Sequence, residues 1–161
     1  SAASDVYKRQ QEAILKYRER FATVGWLENE VYPGIPELLD RLCQAGKTMM
    51  VATSKPEVFA RKILDHFQLA AYFSFVGGAT LDGVRSTKEE VINYVLKTNE
   101  VVSLSEVIMV GDRKFDILGA KHAGVSSVGC VYGYGSREEL ETAGADYVVD
   151  SIGELQNLLL P

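Results

Sequence analysis

Residues 106–116 read EVIMVGDRKFD, and the organisation of the rest of the chain depends on how this stretch is interpreted. Val107, Ile108, Met109 and Val110 form a continuous apolar run, the pattern of a parallel strand covered on both faces by helices. Gly111 ends the run. Asp112 and Asp116 then fall in the turn and first helical residues, at the carboxyl edge of the sheet, where open α/β folds place their ligands. Two carboxylates this close repel one another, and a bound cation keeps both ionised. A hard ion such as Mg²⁺ suits them, since it takes oxygen ligands and retains several waters. The same residues also read as an Asp112 helix cap with Asp116 in the first turn, complementing the helix dipole. The two aspartates alone leave both readings open.

Working outward, the 161 residues are enough for one domain with a sizeable core. A hydrophobic fraction of 47% agrees with a globular chain. The net charge of −5 supplies no basic footprint for nucleic acid or for an anionic membrane, so an anionic ligand has to be held by local groups. Cys43 and Cys130 stand in no metal-ligand spacing and read as small buried hydrophobes in a reducing compartment. No apolar run is long enough to span a membrane and no secretory segment opens the chain, so the expected location is cytoplasmic.

Residues 1–10, SAASDVYKRQ, do not connect in pattern with the helical spacing of residues 11–21 and read as a translated adapter or vector scar. Over residues 11–21, Ile14, Tyr17 and Phe21 recur at helical spacing, with Lys16, Arg18, Glu19 and Arg20 opposite. Pro36 opens a helix with Leu38, Leu39, Leu42 and Cys43 on one stripe, and Gly46 stops it. Short apolar runs and amphipathic helices then alternate, the signature of a parallel sheet wrapped by helices. Strands are predicted at residues 49–53, 73–76, 107–110, 128–131 and 147–149. Capping boxes are predicted at Ser54/Glu57, Ser86/Glu89, Ser136/Glu139 and Ser151/Glu154.

Parallel strands align their carboxyl ends, so distant residues meet at one edge. Thr53 offers a hydroxyl there, beside the amides of Ser54 and Lys55 at a helix start, which suits a phosphate oxygen. A local side-chain to backbone bond is the plainer alternative. Lys88 begins a helix, a poor place for a cation by the dipole rule unless it faces an anion. Arg113 and Lys114 add positive charge between the aspartates or form a solvated face. His66 and His122 have no partner in pattern and read as structural or exposed.

The order of Thr53 at a strand end, Lys88 at a helix start and Gly111-Asp112-x-x-x-Asp116 after a later strand resembles motifs two, three and four of the haloacid dehalogenase superfamily. Residues 31–56 and 133–155 are similar to its phosphoglycolate phosphatase-like branch, and the likeness runs over residues 12–160. The resemblance implies a doubly wound α/β core at residues 31–161, with residues 11–30 as the remnant of a helical cap. It also implies Mg²⁺-dependent hydrolysis of a small phosphate monoester through an aspartyl-phosphate. Thr53 and Ser54 would bind phosphoryl oxygens and Lys88 would neutralise charge around nucleophile and phosphate. Asp112 would bind Mg²⁺ directly, and Asp116 would hold it through water or orient neighbouring groups.

The family's first motif, an Asp-x-Asp on an N-terminal strand, does not occur in these residues. The resemblance therefore describes a chain that lacks its central strand and is inactive alone. Glu89 and Glu90 come after Lys88 in place of a proline common in phosphoglycolate phosphatases, which weighs against glycolate phosphate as substrate. A metal-free dehalogenase and a receiver-like signalling module fit the motif order less well, and a non-catalytic α/β fragment or binding domain is the alternative. Without the central strand, the strands on either side are expected either to leave a gap of about 9.5 Å or to close up and pair. The gap is the expectation.

Overall fold

The alternation of apolar runs with amphipathic helices folds into five parallel strands, but they do not make one sheet. The computed structural model describes residues 2–160; Ser1 and Pro161, at the ends of the predicted scar and core, lie outside them. The order is α1 (Ala2–Thr23), α2 (Ile35–Gln44), β1 (Met50–Pro56), α3 (Glu57–His66), β2 (Phe75–Ala79), α4 (Lys88–Thr98), β3 (Ile108–Gly111), α5 (Lys114–Ala123), β4 (Ser126–Cys130), α6 (Arg137–Ala143), β5 (Tyr147–Val149) and α7 (Ile152–Leu159). β1 pairs with β2, and β3, β4 and β5 form a separate three-stranded sheet. All three pairings are parallel. β1 does not pair with β3, as the expected gap requires.

Burial reflects that division. β2 and β4 are buried along most of their length, whereas β3 is half-buried throughout and β1 is nowhere fully buried. The run Ile108-Met109-Val110 has the composition of an interior strand but has a paired neighbour on one side only. The halves are joined instead through helices: α4 packs on β1, β2 and α5, and α5 packs in turn on β3 and β4. On the opposite face Leu38 and Leu42 of α2 share a buried cluster with Val128, Cys130, Val149 and Leu155. Burying such aliphatic groups contributes about 1.5–3 kcal/mol each.

α1 starts at Ala2 rather than at residue 11, so the segment read as a scar continues the same helix. Most of that helix is exposed, and Phe21 is its buried anchor, edge-on to Phe59 at 5.2 Å and under the Lys55 ammonium at 4.1 Å.

Local predictions fail where a longer-range contact competes. The Ser54/Glu57 capping box does not form: β1 stays extended to Pro56, which is itself the helix cap and has no side-chain bond. The Glu57 carboxylate instead accepts from the Gly78 amide and pairs with Arg61 and Arg85. At α4 the cap is Thr87 with Glu90, one residue later than predicted. Ser136 and Ser151 do cap α6 and α7, each accepting from the amide three residues on. Asp112 is not a helix cap, since Arg113 occupies that position. Cys130 is buried as predicted, but Cys43 is exposed.

Candidate active site

Lys88 is the group that brings the predicted residues together. Its Nζ donates to the Ala52 carbonyl at 3.0 Å and pairs with Asp116 Oδ1 at 2.8 Å. One ammonium therefore ties the Ala52 carbonyl of β1 to the first turn of α5, which follows β3, across strands that do not pair. The helix start that seemed unsuited to a cation is compensated by a buried carboxylate.

Asp116 is 5% exposed, and its second oxygen, Oδ2, accepts from the amides of Asp112 and Arg113 at 3.1 and 3.0 Å. Both of its oxygens are thus engaged by protein donors. Asp112 is placed differently. Its Oδ2 accepts from the Tyr134 amide at 2.8 Å and its carbonyl from the Gly135 amide at 2.9 Å. Its Oδ1 takes no protein donor among the described residues.

Thr53 Oγ1 accepts from the Lys55 amide at 3.1 Å, the local bond the sequence left as an alternative. An accepting hydroxyl can still donate its own hydrogen. Ser54 is exposed and lines an open cleft of about 470 Å³ together with Lys88, Asp116, Ser86, Arg113 and Phe115. Thr53 and Asp112 are not among the residues that line it. Arg113 is not simply a solvated cation: Glu139 Oε1 accepts from its Nε at 2.9 Å and from the Lys114 amide at 2.8 Å. These two bonds, the Lys114 amide first, hold the Glu139 carboxyl below its usual range. His122 pairs with Glu89 at 3.0 Å, and His66 lies edge-on to Phe67.

Sequence reasoning missed the turn at Gly133-Tyr134-Gly135. Its signal was the pair of glycines close behind the fourth apolar run. A Cβ at Gly133 would lie 2.3 Å from the Asp112 Cβ, and one at Gly135 only 2.1 Å from the Asp112 carbonyl oxygen. Backbone cannot yield as a flexible side chain can, so Gly135→Ala is expected to displace the turn and lose its hydrogen bond to Asp112. The expected cost is about 2 kcal/mol or more. Urea unfolding checks the loss of stability, and amide chemical shifts of Asp112 and Arg113 check its location.

The parallel α/β core thus places Lys88 beside the strand that carries Thr53 and against Asp116 of the Gly111-Asp112-x-x-x-Asp116 segment. The chain belongs to the haloacid dehalogenase-like hydrolase family, whose model matches residues 2–130. It is 43% identical over 151 residues to a 5'-nucleotidase of Pseudomonas aeruginosa, covering 94% of this chain and 68% of that protein. A phosphoglycolate phosphatase of Vibrio parahaemolyticus is 38% identical over 135 residues, covering 84% of this chain and 59% of its own length. Among solved structures, a predicted phosphatase from Clostridium acetobutylicum superposes with a TM-score of 0.90 at 47% identity, over 92% of this chain and 68% of that one.

Proposed function

We propose that these residues form the greater part of a Mg²⁺-dependent phosphatase site acting on a small phosphate monoester in the cytoplasm. The observation that carries this reading is the placement of Lys88 between the Ala52 carbonyl and Asp116. A cation fixed from two sides is pre-organised to face an anion, which is most of what phosphoryl transfer asks of a protein. Thr53 can donate its hydroxyl to a phosphoryl oxygen, since only its acceptor side is used by the Lys55 amide.

Among the described residues no group of three or more His, Cys, Asp or Glu side chains could hold a metal by itself. Asp112 fits a hard cation through its open Oδ1, with water completing the oxygen set. Asp116 fits a supporting role, since both its oxygens are engaged. The ion would supply charge neutralisation at the phosphoryl group. Asp116 meanwhile holds Lys88 and the turn that aims Asp112. The relatives named 5'-nucleotidase and phosphoglycolate phosphatase support the reaction class. The cytoplasmic assignment rests on two free cysteines and on the lack, among the described residues, of a helix long and apolar enough to cross a membrane.

Titration with Mg²⁺ and inorganic phosphate, monitored by amide chemical shifts, tests the site. Mg²⁺ is expected to perturb Gly111, Asp112 and Arg113, and phosphate to perturb Ser54 and Lys55. Asp112→Ala should abolish the first response, and Thr53→Ala should weaken the second about tenfold, as loss of one charge-assisted hydrogen bond does. Equal Mg²⁺ affinity in wild type and Asp112→Ala would remove Asp112 from the site. Phosphate that perturbs neither strand end would end the phosphatase reading.

A further inference from the structure

Arg85, in the loop that leads into α4, bridges the strand end that carries Thr53 and the helix that carries Lys88. Its Nε donates to the Gly78 carbonyl at 2.8 Å, and its guanidinium carbon lies 3.6 Å from the centroid of the Tyr94 ring on α4. Gly78 is the β2 partner of Thr53 in the parallel register. The Gly78 amide is taken as well, by the Glu57 carboxylate at the start of α3. A Cβ at Gly78 would lie 2.6 Å from the Glu57 Cα, so β2 meets the start of α3 backbone to backbone just beyond Thr53.

Charge neutralisation does not account for Arg85. Glu57 already has Arg61 at 2.9 Å, whereas Arg85 approaches the same carboxylate only to 3.4 Å. The tighter contacts of Arg85 are its flat face on Tyr94 and its bond to Gly78, and these use the planar fork of a guanidinium, which an ammonium lacks. Its backbone is fixed too: the amide donates to Thr80 Oγ1 at 3.0 Å, and the carbonyl accepts from the Thr80 amide at 2.8 Å. Residues 81–84 between these ties form an exposed tip, with Val84 79% exposed. The path from β2 to Lys88 is therefore held at Arg85, and after it by the Thr87 cap.

We infer that Arg85 is a positioning residue for the phosphoryl site: by joining the register partner of Thr53 to α4, it sets the spacing between the Thr53 hydroxyl and the Lys88 ammonium. This rests on the proposed phosphatase function and adds to it a residue that touches neither phosphate nor metal. Lys88 reaches across to the Ala52 carbonyl at 3.0 Å, so a shift of α4 against β1 moves the ammonium directly. Such placement decides affinity, because hydrogen bonds weaken steeply as their geometry departs from ideal and the charge-assisted ones have most to lose.

Titration of the 161-residue chain with inorganic phosphate tests it, followed by the amide shifts of Ser54 and Lys55 and by the side-chain nitrogen signal of Lys88. Arg85→Met is expected to weaken phosphate about tenfold, the effect of misplacing one charge-assisted hydrogen bond, and to move the Lys88 signal. Arg85→Lys keeps the charge beside Glu57 but has neither fork nor flat face, so it should lose affinity to the same extent, and it decides the question if Arg85→Met does not fold. Arg61→Met is the control. Arg61 bonds to the same carboxylate and to the Val76 carbonyl of β2, both at 2.9 Å, but these contacts stop at α3 and β2. Its loss should lower the urea midpoint and leave phosphate affinity and the Lys88 signal unchanged. Affinity that is unchanged in a folded Arg85 variant, or that falls equally in Arg61→Met, overturns the positioning role and leaves the phosphatase reading intact. Absence of phosphate binding by the wild type overturns the phosphatase reading, and the positioning role with it.

Discussion

Lys88→Met is expected to unfold at a much lower urea concentration than the wild type, with a loss of about 3 kcal/mol or more. The Asp116 side chain is only 7% exposed, and Lys88 is its sole cationic partner among the described residues. Removing the ammonium leaves a buried carboxylate stabilised only by the amides of Asp112 and Arg113, which is the costly way to break a buried pair. It also frees the Ala52 carbonyl, and with it a polar link between the two sheets. Adding Asp116→Asn should recover most of the loss, because the amide oxygen still accepts from the turn while no charge remains to be desolvated. Urea denaturation of the four proteins gives the coupling energy directly. Single-variant effects that simply add would show that the 2.8 Å contact carries no stabilising interaction.

How much of this was legible in the sequence depended on the range of the contacts involved. The stripe of α2 and the caps at Ser136 and Ser151 are local, and local patterns specify them. Ser86 and Thr87 both satisfy the capping pattern, with Glu89 and Glu90 respectively, so pattern alone could not choose. The structure uses Thr87, because the Glu90 carboxylate then takes the amides of both Ser86 and Thr87. Glu57 was lost to prediction because its partners Gly78 and Arg85 come from a strand and loop well along the chain. The meeting of Lys88 with the aspartate turn was legible only through the rule that parallel strands align their carboxyl ends. The third party, the Ala52 carbonyl, carries no sequence signal, since every residue offers a lysine the same backbone oxygen. The half-exposed state of β3 was not visible either: composition reports the neighbours a strand is suited to, not those it has.

Supplying those neighbours is expected to have the largest effect of all. β1 and β3 expose unpaired backbone on the sides where they do not meet, and no Asp-x-Asp occurs among the 161 residues to act as nucleophile. We propose that a hydrophobic strand ending in Asp-x-Asp, fused to the chain or added as a peptide, fits between β1 and β3 in parallel. Its first aspartate would lie opposite Lys88 and its second two residues on, as general acid and base. Two results should appear together. Amide exchange at residues 50–53 and 108–111 should slow as the open edges gain partners, and the tendency of such edges to aggregate should fall. Release of p-nitrophenol from p-nitrophenyl phosphate with Mg²⁺ should rise from background by on the order of 10⁶-fold, the scale on which loss of a covalent nucleophile acts. Changing the first aspartate of the added strand to asparagine separates the two, since protection should persist while turnover disappears. Protection without turnover from the aspartate strand would defeat the phosphatase reading. Turnover by the 161-residue chain alone, lost on Asp112→Ala, would show instead that the attacking group is already among the residues present, and that β1 and β3 need no strand between them to work.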